Sequence, residues 1–216
     1  MKTTLVIAAL AFINLAAAQK TRELKEFKTL TVGSDVHVTL IKSNQNKLVI
    51  NRNSDDEPEI ANEGNSLAIK GGDDAEITVY FTADLENITA ASDAKIVCKD
   101  EIKTASLTIT MASDAELEIK VNVKKLSTAA NSDAIVTISG KAGEHTATYS
   151  SDAQLNAEKL LTDTTSIVMS SDASAEINAK DIVNATVSSD ASLKIYGDPK
   201  KVNEVKGSDA EIVVIR

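Results

Sequence analysis

Met111-Ala112-Ser113-Asp114-Ala115-Glu116-Leu117-Glu118-Ile119 is the stretch on which the fold turns. After Asp114, apolar Ala115, Leu117 and Ile119 alternate with Glu116 and Glu118; before it, Ile109 and Met111 hold the same parity. Alternation with a period of two marks strands with one buried face. Ser113-Asp114 sits between two such runs and reads as a corner. The tripeptide Ser-Asp-Ala recurs, beginning at Ser92, Ser113, Ser132, Ser151, Ser171, Ser189 and Ser208. A near-constant period of about 19 residues means that the chain winds the same turn repeatedly.

The apolar pattern travels with the tripeptide. Ala134, Val136 and Ile138 follow Asp133; Ala191, Leu193 and Ile195 follow Asp190; Ala210, Ile212 and Val214 follow Asp209. Ile167 and Met169 precede one corner, and Ala185 and Val187 another. A turn of about 19 residues holds two short strands and two corners, with no room for a helix besides. The expected fold is therefore all-β: a parallel β-helix or β-solenoid whose equivalent positions stack at roughly 4.8 Å. Composition agrees. Aromatics make up 3% and Trp is absent, as suits a core about one side-chain layer thick between sheets about 10 Å apart.

Residues 1–18 read as a signal peptide. Lys2 supplies the positive start, Leu5 to Leu15 an apolar run too short to span a bilayer, and Ala16-Ala17-Ala18 a small-residue cleavage site. Export then leaves residues 19–216 as one domain of about ten turns, a rod about 50 Å long. Removing Lys2 lowers the basic residues from 23 to 22 against 32 acidic ones, a net charge of −10. Such a surface disfavours nucleic acid and anionic membranes and favours cations or basic partners. No later stretch is apolar and long enough for a membrane span. Cys98 is the only cysteine, so no intrachain disulfide forms. It stands five places after Asp93, in the column of Ile119, Ile138, Ile177 and Ile195, and is expected to be core rather than nucleophile.

Residues 92–216 carry the regular repeats; residues 24–91 are less regular. Gly33-Ser34-Asp35-Val36 and Gly72-Asp73-Asp74-Ala75 resemble corners, set close to two periods apart. Between them Asn53-Ser54-Asp55-Asp56-Glu57-Pro58-Glu59 is a polar loop. The expectation is of strands leading into the solenoid with hairpin-like excursions. Gly197-Asp198-Pro199-Lys200-Lys201 interrupts the pattern before the last corner, as a loop or cap.

An export signal leads here into Phe27-Lys28-Thr29-Leu30-Thr31-Val32-Gly33 and Val36-His37-Val38-Thr39-Leu40. Serial corners follow, then Ile195-Tyr196-Gly197-Asp198-Pro199 and a last corner at Gly207-Ser208-Asp209-Ala210. Over residues 24–216 this resembles the head GIN domain family of exported bacterial proteins, described as autotransporter adhesin heads. The resemblance implies a β-helical fold and an envelope or surface location. Corners of that family are usually rich in Gly. Here Asp and Ala stand in their place, and Asp is among the few non-Gly residues that tolerate the left-handed conformation.

The chief candidate site is the column Asp93, Asp114, Asp133, Asp152, Asp172, Asp190 and Asp209. Neighbouring carboxylates roughly 4.8 Å apart repel by about 0.9 kcal/mol per pair in bulk water. Two readings offset this. Each carboxylate accepts a local backbone N–H in an Asx-type turn, or cations bridge the column, since oxygen-only ligands suit Ca²⁺. The Gly-Gly-x-Gly-x-Asp calcium roll is absent.

Nothing else resembles chemistry. Arg22, Arg52 and Arg216 lie outside the repeats. His37 alternates outward between Val36 and Val38, and His145 stands where Leu107 and Leu126 stand in other turns. No nucleophile elbow, metal triad or phosphate loop is present. No catalytic residue, metal or cofactor is therefore assigned. The function expected is a non-catalytic envelope or surface module that binds an envelope component, glycan or protein, in the periplasm or outside the cell. The alternative is a polysaccharide-active enzyme on a β-helix.

Overall fold

The structure, a computed structural model, describes residues 20–52 and 56–216. The proposed signal peptide and residues 53–55 of the polar loop lie outside the described residues. Among the described residues there is no helix.

The repeats build the solenoid as their alternation demands. Strands β9 (Lys95–Met111), β10 (Glu116–Ala130), β11 (Ile135–Tyr149), β12 (Gln154–Met169) and β13 (Ser174–Val187) stack in parallel. Two shorter strands, β14 (Ser192–Tyr196) and β15 (Lys201–Lys206), both pair with β13 and split the next turn at the Gly197–Lys200 interruption. β16 (Glu211–Val214) closes the stack on β14. Register follows the tripeptide: Ile119 opposes Cys98 and Ile138, and Ala130 opposes Met111 and Tyr149.

One expectation is corrected. Each regular turn is a single strand of 14 to 17 residues and not two strands with two corners. Only the Ser-Asp corner interrupts the strand. At the far edge the chain bends within the strand by a slip in parity. Lys124 and Lys125 are both exposed between buried Val123 and Leu126, and register shifts at Ile119/Lys120, Thr137/Gly140 and Ala157/Leu161 absorb the bend. Small unpaired insertions of this kind raise local twist without ending the ladder.

The corners differ from a generic turn. Ser and Asp both take positive φ: 50 and 61° at Ser113-Asp114, 53 and 63° at Ser151-Asp152. The turn closes by an i→i+3 bond, as from Ala115 N–H to the Ala112 carbonyl at 3.3 Å. Two successive left-handed residues define a type I′ turn, whose twist matches that of strands. The Asp N–H donates to the Ser carbonyl of the next turn: Asp93 to Ser113 at 3.0 Å, Asp114 to Ser132 at 2.9 Å, Asp152 to Ser171 at 3.0 Å. Corner backbone thus continues the ladder around the edge.

The N-terminal third is a cap woven out of order. β2 (Thr29–Gly33) and β3 (His37–Lys42) flank the Ser34-Asp35 corner; β6 (Ser66–Lys70) and β7 (Glu76–Phe81) flank the corner at Asp74. β8 (Asn87–Ala91) leads into Ser92. β2 lies between β6 and β8, and β3 between β7 and β9. The corner of Asp74 is therefore outermost although it comes second in the chain. β4 (Lys47–Arg52) and β5 (Glu59–Glu63) pair antiparallel with β7 and β6, and β1 (Lys20–Glu23) antiparallel with β4. The length expected to make about ten turns instead stacks nine parallel strands on the face that follows the corners, from β7 to β16. The three antiparallel strands cover the first turn, where an open edge would invite further pairing.

The interior is filled by small aliphatics in register, Ala115, Leu117, Ile119 and Val121 among them, with Phe27 and Phe81 under the cap. Cys98 is 2% exposed in its predicted column. Burial pushes its thiol up to about 11, and Sγ donates to the Asp100 carbonyl at 3.4 Å. The thiol is therefore held protonated and inert.

Gly140 sits at the far-edge bend with φ 108°, where a Cβ would collide with the Val121 carbonyl oxygen. Gly140→Ala is expected to lower stability by about 3 kcal/mol or more. Gly64→Ala, at φ 56° with open space around it, should cost about 1 kcal/mol. Urea midpoints of the two variants check the order.

Candidate binding surfaces

Stacking turns in register converts each outward position into a row, so the surface consists of two faces and two edges. The face after the corners is charged. Lys95 opposes Glu116, and Lys194 opposes Glu176. The first pair is joined by an ion pair, and Lys194 Nζ lies 3.0 Å from Glu176 Oε1. Exposed pairs of this kind add at most about 1 kcal/mol each, and their order places opposite charges on neighbouring turns.

The face before the corners differs. Its outward rows are Thr108, Ser127, Thr146, Ser166, Asn184, Asn203 and, two residues on, Thr110, Ala129, Thr148, Val168, Thr186, Val205. A third row beside the corners begins Ala112, Asn131, Ser150, Ser170, Ser188. Thr29, Thr31, Asn87 and Thr89 extend the first two rows toward the cap. None of these residues is charged. A shallow hollow of about 320 Å³ runs between the rows over Thr148, Val168, Thr186 and Val205, with Glu204 of the last turn at its end. Asn203 donates to Asn184 at 2.8 Å and Asn184 to Ser166 at 3.3 Å.

The corner edge carries the predicted column. The seven Asp residues of the repeats are exposed and stack on one edge, by the register of the strands on either side. The local Asx-type bonds expected of them do not form: among the described residues the carboxylates of Asp93, Asp114, Asp133, Asp152, Asp172, Asp190 and Asp209 enter no hydrogen bond or ion pair. Asp serves the corner through its backbone and leaves its charge to solvent. The column extends to Asp35 and Asp74, and there a nitrogen donor joins it. One ligand atom each from Asp35, His37 and Asp74 lie within 4.8 Å of one another. His37 Nε2 is 4.0 Å from Asp35 Oδ1, and the Arg52 guanidinium lies 3.8 Å from Asp74 and 3.4 Å from Glu76. A hollow of about 240 Å³ lined by His37, Asn51, Glu76 and Lys95 opens beside it. In sequence His37 is only an outward strand position between Val36 and Val38, because the reversed stacking that brings Asp74 over Asp35 has no local signal.

His145 packs between Leu126 and Thr165, in the column read from Leu107 and Leu126. It is 2% exposed, with Nε2 2.9 Å from Thr128 Oγ1 and Nδ1 without a partner. Thr162 and Thr165, also buried, share a 2.8 Å hydroxyl bond. Burial raises the Tyr149 phenol, and Thr128 alone tempers it, although the Tyr149 hydroxyl makes no hydrogen bond of good geometry. This polar seam is enclosed in the core, out of reach of a substrate.

The matching family is "Putative auto-transporter adhesin, head GIN domain", which covers residues 26–199. The chain belongs to it. Among solved structures the chain is similar to a "putative adhesin" from Bacteroides fragilis, with TM-score 0.81, 16% identity, and coverage of 91% of this chain and 96% of that one. A "putative adhesin" from Parabacteroides merdae gives 0.73, 15%, 92% and 96%. A "putative lipid binding protein" from Parabacteroides distasonis gives 0.68, 14%, 92% and 97%. At these identities the likeness concerns the fold. No curated protein matches the chain.

Burial lowers the His145 pKa from 6.5 to about 4. Between those values the unfolded chain binds a proton that the folded chain refuses, so stability falls as pH drops through that window. The His145 contribution to the loss between pH 7.5 and 4 is about 3 kcal/mol. His145→Leu, matching Leu126, should remove that component; urea unfolding of both proteins across the range measures the difference.

Asp152→Asn should be neutral or stabilising by up to about 2 kcal/mol, less in salt, because Asn tolerates positive φ and the repulsion from Asp133 and Asp172 disappears. A cation-bridged column would behave oppositely. Thermal unfolding with millimolar Ca²⁺ and with chelator separates the two: a rise of several degrees with Ca²⁺, abolished by the substitution, would overturn the expectation.

Proposed function

We propose that this chain is a non-catalytic binding module, exported by means of residues 1–18 and working at the envelope or cell surface as one unit over residues 19–216. The observation that carries it is the corner edge: an exposed, unpaired carboxylate on every turn of the Ser-Asp-Ala repeat, at intervals of roughly 4.8 Å. A rigid row of like charges is a poor catalyst and a good template for a cationic partner, or for a glycan or protein bridged through cations. Family membership and the adhesin descriptions of the two similar structures support this reading.

One observation favours a second reading, a polysaccharide-active enzyme. A hollow of about 240 Å³ on the charged face is lined by Thr137, Asn156, Glu158, Lys159 and Glu176. Its carboxylates are engaged, however: Glu158 with Lys159 at 3.7 Å and Glu176 with Lys194 at 3.0 Å. No loop overhangs it, since the far-edge bends lie within continuous strands.

A glycan and envelope-component array, probed with and without Ca²⁺, tests both. The expected result is binding that salt weakens and that Asp114→Asn with Asp133→Asn and Asp152→Asn reduces at least about tenfold, with no polysaccharide cleaved. Release of reducing ends by the protein, lost in Glu176→Gln, would establish the enzyme instead. Binding indifferent to the triple substitution would remove the corner edge from the proposal.

A further inference from the structure

We propose that the uncharged face before the corners is a self-association surface, and that its occupant is the same face of a second copy of this chain. This goes beyond the binding role of the corner edge, which it leaves exposed.

The face is unusual in what it lacks. Across eight turns, from Thr29 to Asn203, three outward positions per turn carry no Asp, Glu, Lys or Arg. The chain as a whole is 25% charged, so a quarter of those 24 positions, or six, would be charged at the average. The opposite face meets that expectation within its own rows, with Lys95, Glu116, Glu118, Glu176, Lys194 and Glu211. β-propensity accounts for Thr in these rows, but not for Ser and Asn, nor for the absence of Lys and Glu from one face alone.

Charge selects the occupant. The chain carries a net charge of −9, so two copies repel along the Asp edge. On the charged face, a second copy would have to match every ion pair with its own. The uncharged face is where like copies meet without juxtaposed charge. Size agrees. Eight turns at about 4.8 Å and three rows spanning about 16 Å give roughly 600 Å² per copy, so a paired interface would bury about 1,200 Å², the lower end of stable specific interfaces. Exposed Val168 and Val205, at 51% and 63%, stand among the hydroxyls and amides, a mixed composition usual for non-obligate interfaces. A twofold axis in the plane of the face makes the contact self-complementary and closed.

Sedimentation velocity on the full protein from about 1 to about 100 μM tests this, a range suited to a micromolar dimer. The expected result is a monomer–dimer equilibrium that about 0.5 M NaCl leaves intact or strengthens, since salt screens only the net repulsion. Thr148→Glu with Thr186→Glu should weaken it at least tenfold. Thr137→Glu with Asn156→Glu, which add the same charge to the opposite face, should weaken it far less. Circular dichroism checks that both variants fold. Because Cys98 is buried, Thr148→Cys provides a second readout independent of charge: oxidation should give a disulfide-linked dimer, and Asn156→Cys should not. A monomer at every concentration overturns the proposal. So does a dimer dispersed by salt, or one that the opposite-face variants dissolve and the Thr148/Thr186 variant does not.

Discussion

The rest of the structure depends on one backbone arrangement: two consecutive left-handed residues at six of the seven repeat corners, with corner backbone bonded forward to the next turn. Left-handed backbone costs an L-residue about 1 kcal/mol or more, and the Ser-Asp pair accepts it at six corners of the repeat, from Ser92-Asp93 to Ser189-Asp190. The return is geometric. A type I′ corner twists with the strands it joins, and its own N–H and C=O lie parallel to the ladder. The Asp-to-Ser bond between turns therefore satisfies the Asp N–H and carries the ladder across the edge. A looser turn would break the stack into two sheets; this one makes corner and strand parts of one hydrogen-bonded surface.

From that constraint the side chains follow. A turn repeated without change places like beside like. In the core this suits Ala, Ile, Leu and Val, which pack on themselves in register. His145 and the buried threonines show the cost of departing from the rule. A polar side chain in a one-layer core finds partners only on its own or the adjacent turn, and His145 Nδ1 finds none. On the surface, repetition amplifies charge. The face after the corners sets Lys against Glu on neighbouring turns at two places, Lys95 with Glu116 and Lys194 with Glu176, whereas the corner column stacks Asp on Asp with no counter-charge until Arg52 at the cap.

Sequence periodicity exposed what is periodic. Spacing of Ser-Asp-Ala gave the turn length, and parity from each Asp gave the core columns, down to Cys98 and His145. The cap escaped because reversed stacking of the Asp35 and Asp74 corners depends on β4 and β5 pairing antiparallel over the first turn. Such long-range pairing leaves no local mark. The continuous strand through the far edge escaped because a parity slip at Lys124-Lys125 looks, in sequence, like the end of one strand and the start of another. The bare face was legible in principle, as Thr-x-Thr at 29–31, 108–110 and 146–148, but only the register shows that these fall in common rows. The Asp35, His37 and Asp74 grouping was hidden by the same reversed order.

Asp at the corner is more than the fold requires. Gly satisfies two successive positive φ values at less steric cost than Asp, and Asn does so without charge. The chain instead places Asp at every corner of the repeat, where each carboxylate adds repulsion of up to about 0.9 kcal/mol with each neighbour and gains no hydrogen bond. That repulsion is modest against the ladder and core, so the fold bears it, but neither gains from it. A feature that costs stability at seven equivalent positions, all on one edge, is what the proposed binding role of that edge rests on. Combined with a face free of charge on one side and a face of matched ion pairs on the other, it makes the rod electrostatically three-sided. Each side then offers a different physical environment: unscreened like charge at the corners, uncharged packing surface on the bare face, and paired charges on the third.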